Sequence, residues 1–193
     1  MKKFKLTSEF IVDISGVKLF RIKALIEFGN VKAGDLGGYI EKEENLSHMG
    51  NAWVSGNAQV SGDAQVSGDA RVFGNAWVSG NAQVFGNARV SGNARVSGDA
   101  QVFGDARVSG NAQVFGDARV SGDKDYAYAH GFGSCNRTTT FFRLKDGDVG
   151  VRCGCFYGTL AQFRDNVCET HGETKKAQEY LMLADLMDFR FKN

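Results

Sequence analysis

Proline is absent from this 193-residue chain, and it holds only three histidines and four cysteines. Without proline, its turns must rest on glycine, asparagine and aspartate, which tolerate left-handed backbone angles. No apolar run approaches the roughly 18 residues that a membrane-crossing helix needs. The basic start Met1-Lys2-Lys3-Phe4-Lys5 runs into Thr7, Ser8 and Glu9, which interrupt what would be the apolar core of a secretion signal. A cytoplasmic protein is expected, with Cys135, Cys153, Cys155 and Cys168 as reduced, small, buried thiols. An excess of one charge is also missing. Residues 1–49 carry 8 basic and 7 acidic side chains, residues 50–123 carry 5 and 6, and residues 124–193 carry 10 and 9. That balance argues against direct nucleic-acid binding and requires any anion site to be local.

Glycine, by contrast, is plentiful, with 25 residues, most of them in one pattern. From Gly50 to Asp123 the unit Gly-(Asn/Asp)-Ala-x-Val-(Ser/Phe) recurs 12 times without insertion, with valine at every sixth position from Val54 to Val120. A period this strict marks a solenoid. In Ala58-Gln59-Val60-Ser61-Gly62-Asp63, Ala58 and Val60 point to one side of an extended segment and Gln59 and Ser61 to the other. Gly62-Asp63 makes the corner. Three units close a triangular coil, and coils must stack to bury their apolar side. Four coils span on the order of 19 Å at ~4.8 Å per layer. The pattern resembles the left-handed parallel β-helix of hexapeptide-repeat proteins, and the hand is implied by that resemblance alone.

Residues 18 apart share a face. One face carries Trp53, Arg71, Arg89 and Arg107, a second Gln59, Trp77, Arg95 and Gln113, and a third Gln65, Gln83, Gln101 and Arg119. Phe85 and Phe103 stack beside the third. Outward aromatics are costly to leave wet, so Trp53, Trp77, Phe85 and Phe103, with Arg71, Arg89 and Arg107, are expected at a homotrimer interface. Three guanidiniums ~5 Å apart repel one another. Asp69 and Asp105, or a neighbour's carboxylates, are expected to pair with them.

Residues 1–49 read as a β cap, with strands around Ser15-Gly16, and Ile40 and Leu46 begin an irregular first coil. The loop Lys32–Tyr39 lacks the Lys-Ser/Thr ending of a phosphate-binding P-loop. Residues 124–193 read as a small α+β domain. Strands are expected over 126–132, 138–144 and 149–156, with Asp146-Gly147-Asp148 as a hairpin turn. A helix capped by Thr159 and Gln162 and ended by Gly172 follows. A second helix over 174–189 is expected to bury Tyr180, Leu183, Leu186 and Met187.

The densest polar stretch is the loop from Gly131 to Thr140. Ser134, Asn136, Arg137, Thr138, Thr139 and Thr140 are the residue types that hold an anionic oxygen group. Arg152 lies on a neighbouring strand, and Phe156 or Tyr157 offers a ring for stacking on a base. Cys153-Gly154-Cys155 with Cys135, Cys168 and His171 has spacing poorly suited to structural zinc, and no metal or cofactor is expected.

Two further stretches resemble a recurring phage and prophage protein type: Gly34-Asp35-Leu36-Gly37-Gly38-Tyr39-Ile40-Glu41 leading into the repeats, and Arg137–Phe142 followed by Cys153-Gly154-Cys155-Phe156. Phage proteins that sequester nucleotide second messengers of host immunity are small, oligomeric and non-catalytic. The resemblance implies a homotrimer in the host cytosol that captures an anionic, nucleotide-like ligand. One alternative is a hexapeptide-repeat acyltransferase using coenzyme A, with His48 or His130 as base. The other is a structural or host-protein-binding trimer.

Overall fold

The structure, a computed structural model, describes residues 2–192. Met1, Asn193 and the side chain of Cys135 lie outside the described set, so the expectation for that thiol is not taken further. Strand β1 (Phe4–Val12) pairs antiparallel with β2 (Lys18–Ala24), which pairs with β3 (Leu36–Ile40). Twelve two-residue strands follow at six-residue steps, β4 (Trp53–Val54) to β15 (Arg119–Val120). They stack into three parallel ladders. The ladder through Gln59 and Trp77 begins at β3, where Tyr39 pairs with Gln59 and Ile40 with Val60. Leu46 bridges Val66. The chain is thus mainly β, a parallel solenoid of four regular coils preceded by an irregular one.

Each strand holds one Val inside. Every repeat Val and Ala is buried, from Ala52 to Val120. A fully buried valine side chain is worth about 1.5–3 kcal/mol relative to exposure. Corners turn through left-handed glycine. Gly86 sits at φ +68°, and a Cβ there would lie 3.0 Å from the nitrogen of Gly104 one coil on.

Stacking leaves polar groups unmatched at both ends, and the flanking segments supply the partners. In the rod, Gln59 N–H donates to the Ala76 carbonyl and Gln65 N–H to Ala82. The first coil has no regular coil before it to do the same. Tyr39 N–H donates to Ala58, Glu41 N–H to Val60 and Ser47 N–H to Val66. The amide of Asn45, fully buried, donates to the carbonyls of Gly62 (3.0 Å) and Ala64 (2.8 Å). Lys3 is 1% exposed, and its Nζ donates to Ala52 (2.8 Å) and Gly50 (3.3 Å) while lying 4.7 Å from the Phe28 ring. At the far end, Arg107 N–H donates to Asp123 Oδ1, Gln113 N–H to Thr140 Oγ1 and Ser121 N–H to Asp125 Oδ2.

The C-terminal unit is an antiparallel sheet, β16 (Tyr126–Phe132), β17 (Arg137–Arg143), β18 (Val149–Cys153) and β19 (Phe156–Thr159). It is covered by α1 (Leu160–His171) and α2 (Lys175–Phe191) around Phe141, Val151, Phe163 and Tyr180. The strand expected over 149–156 is two strands, because Gly154 at φ +60° turns the chain between Cys153 and Phe156. Thr159 and Gln162 cap α1 reciprocally. Leu186 is 55% exposed, not buried. The buried stripe of α2 runs through Ala177, Tyr180, Ala184, Met187 and Phe191, which turns Leu186 outward with Met182 and Phe189.

Candidate functional site: an arginine-lined face

The polar stretch expected as a loop is largely strand, since Arg137–Thr140 open β17, and it is occupied with structural bonding. Thr138, Thr139 and Thr140 are all buried. Thr140 Oγ1 accepts the Gln113 N–H at the end of the rod (2.9 Å), Thr139 Oγ1 donates to Cys153 Sγ (3.2 Å), and Thr138 Oγ1 lies 3.0 Å from His130 Nδ1. The N–H of Gly133, the kind of donor an anion would need, is taken by the Glu179 carboxylate at 2.8 Å. Ser134 bonds Tyr180 (N–H to Oη, 3.1 Å), and burial raises the Tyr180 phenol above its usual pKa. Asn136 adopts φ +46°, and Arg137 is exposed with its guanidinium beside Gly154. Phe156 packs on Phe163 (5.5 Å between centroids), Tyr157 meets Phe115 edge-on (5.0 Å), and Arg152 lies 4.8 Å from the Phe115 ring. The expected binding residues are therefore close in the fold, but threonines, rings and loop donors face protein partners. The loop at Gly133-Ser134 is tied to α2, while Thr140, Leu144 and Lys145 seat the C-terminal unit on the rod at Gln113, Ala118 and Asp117.

The candidate bases are engaged too. His48 Nδ1 accepts from Lys3 N–H (3.2 Å), and its ring stacks on Phe4 (4.4 Å). Of the thiols, Cys155 and Cys168 are exposed, contrary to the buried reading, because each falls on the solvent side of its turn or helix.

Concavity lies elsewhere. A groove of about 850 Å³ runs along the face that carries Trp53, Arg71, Arg89 and Arg107. The three arginines pair in register on successive coils, so the guanidiniums recur every ~4.8 Å. Arg89 and Arg107 are exposed and Arg71 partly so. One edge of the groove is the corner row Asn51, Asp69, Asn87 and Asp105, the other holds Ser55 and Phe73, and the loop at Gly29-Asn30 closes one end.

The expected pairing of this ladder with Asp69 and Asp105 does not occur. Among the described residues, none of the three arginines forms an ion pair. The aspartates turn along the corner row instead: Asn51 Nδ2 donates to Asp69 Oδ1 (2.8 Å) and Asn87 Nδ2 to Asp105 Oδ1 (3.0 Å). Asparagine one coil away offers a donor at the stacking distance, whereas the arginine projects from the flat of the face. The stack of like charges costs about 1 kcal/mol per adjacent pair even in water.

One of the two tryptophans also departs from expectation. Trp53 is 6% exposed, and Phe28 of the same chain lies edge-on to it at 5.4 Å. It forms the covered end of the groove rather than a subunit contact. Trp77 is half-buried, with Nε1 3.5 Å from Ser61 Oγ and Arg95 5.3 Å from its ring. Phe85 and Phe103 do stack, with centroids 5.2 Å apart and planes 7° from parallel.

Over residues 64–80, 82–98 and 100–114 the chain matches the family model described as YdcK Beta solenoid repeat. The rod is a repeat β-solenoid. The matched residues all fall between the two caps, so the similarity speaks to the scaffold and not to Lys3, Asn45 or the C-terminal unit. No curated protein matches the chain.

The groove was half visible in the sequence. Arg71, Arg89 and Arg107 at an 18-residue spacing give the row, but the contribution of Gly29 and Asn30 does not follow from any local pattern. Nothing in the strand before Trp53 announces that Phe28 covers it.

Proposed function

We propose that this protein is a non-catalytic binding solenoid that captures an anionic, nucleotide-like small molecule on its arginine face. The observation that carries the reading is the row of three in-register guanidiniums without carboxylate partners among the described residues, lining the 850 Å³ groove. Such a row carries an electrostatic cost that a bound oxyanion removes, and guanidinium recognises phosphate bidentately. A rigid rod suits the task because its side-chain spacing is set by backbone hydrogen bonds and does not need ordering upon binding. The experiment is native mass spectrometry of the purified chain and of Arg89→Ala. The reading expects an anionic ligand carried by the unsubstituted chain, or accepted from a panel of nucleoside phosphates, and lost in Arg89→Ala. A chain that takes up no anion at all overturns it.

A second reading concerns assembly. The half-buried Phe85–Phe103 stack sits at the corner between the arginine face and the glutamine face, and it favours a homotrimer packed about that corner. Light scattering decides this. A mass three times 20.9 kDa that collapses in Phe85→Asp/Phe103→Asp supports it, and a monomeric unsubstituted chain contradicts it.

A further inference from the structure

The lining of the groove narrows the ligand class. Resting on the anion-capture reading above, we infer that the groove grips a condensed phosphate chain of about three groups, and that recognition is of the phosphates rather than of a base. Three guanidiniums against the carboxylates of Asp69 and Asp105 leave the lining with a small positive excess. A single anion touching one arginine gains little over its hydration, because the neighbouring guanidiniums are already water-exposed and two carboxylates stand at the edge. A chain bearing charge on each successive unit meets all three arginines at once. The row covers two coil spacings, roughly 10 Å, and because phosphates in a condensed chain repeat at a shorter interval than the coils, the long exposed side chains of Arg89 and Arg107 converge on a chain of about three groups.

Rings are scarce where a base would stack. Trp53 is 6% exposed beneath Phe28, and the remaining aromatic of the lining, Phe73, stands on the rim at 39% exposure. Single-stranded nucleic acid needs a succession of stacking platforms as well as charge, and this face has arginine where those platforms would lie. A condensed phosphate chain needs no ring. It presents oxygens in pairs that fit the planar guanidinium fork, and the geometry accepts it either as a free inorganic oligophosphate or as the tail of a nucleotide.

Calorimetric titration of the full chain with orthophosphate, pyrophosphate, tripolyphosphate and ATP tests this. Affinity is expected to climb about tenfold with each added phosphate up to three, since each engages one more charge-assisted arginine contact. ATP is expected within about threefold of tripolyphosphate, and Phe73→Ala is expected to change neither by more than that. Arg71→Ala, Arg89→Ala and Arg107→Ala each return tripolyphosphate to pyrophosphate-like affinity, with circular dichroism confirming an intact rod. Equal binding of orthophosphate and tripolyphosphate overturns the inference. So does ATP binding without tripolyphosphate binding, or loss of ATP in Phe73→Ala; in these cases the anion-capture reading survives with a different ligand. If no member of the series binds and no other anion is taken up, that reading falls as well.

Discussion

Lys3 gives the capping account its sharpest test. It is buried at the start of the rod, its ammonium held by the carbonyls of Ala52 and Gly50 and by no carboxylate within ion-pair distance among the described residues. Burial lowers its pKa from 10.5 to about 8, with Asp69 partly opposing the shift. Below pH 8 the lysine is charged in both the folded and the unfolded chain. Between about 8 and 10.5 the unfolded chain binds a proton that the folded chain does not, so stability rises with pH across that window. The full gain is at most about 3 kcal/mol. Lys3→Met removes both the titration and the two donors. At neutral pH the two effects nearly offset: the variant sheds a buried charge but leaves the Ala52 and Gly50 carbonyls unsatisfied, at about 1–3 kcal/mol. Urea unfolding of both chains from pH 7 to 10.5, followed by circular dichroism, isolates the term, because other titrating groups cancel in the difference. Stability of the unsubstituted chain relative to Lys3→Met should grow by about 2–3 kcal/mol across the range. A flat difference, or one that shrinks as pH rises, refutes the reasoning.

The rod and its far end make further predictions. Thr140→Val keeps the shape but removes the acceptor for Gln113 N–H, and should lower stability in thermal unfolding by about 1–3 kcal/mol, with Thr140→Ser close to unsubstituted. Val84→Ala hollows the fully buried interior and should cost about 2 kcal/mol by urea unfolding. Gly86→Ala forces a side chain into left-handed backbone beside Gly104, at about 1–2 kcal/mol or more by the same assay.

The scaffold was legible because the hexapeptide writes it twice: Ala and Val fix the inside, and Gly-Asn/Asp fixes each corner. Ile40 and Leu46 fall on the alanine register in the sequence, but they take the valine rung, facing Val60 and Val66, because the irregular coil is two residues longer than a regular one. The caps were not legible. Lys3 reaches carbonyls 47 and 49 residues away, and a lone lysine near the start of a chain reads as solvated until the open end of a solenoid is placed beside it. Thr138–Thr140 looked like a cradle because hydroxyls and arginine suit an anion, but all three are buried and bonded within the protein: Thr140 accepts the unmatched Gln113 N–H at the end of the stack, Thr139 donates to Cys153 and Thr138 meets His130. The arginine row was visible, whereas its lack of partners was not. Asp69 and Asp105 lie two residues from arginines along the chain, but asparagines one coil below them offer donors at the stacking distance.

The most direct measurement for the central claim sets two arginines against each other in one titration. Tripolyphosphate is titrated into Arg89→Ala, which alters the groove, and into Arg137→Ala, which alters the polar stretch at the start of β17. The account predicts that Arg89→Ala loses about tenfold or more in affinity while Arg137→Ala binds like the unsubstituted chain. Binding lost in Arg137→Ala and kept in Arg89→Ala contradicts it and returns the site to the loop.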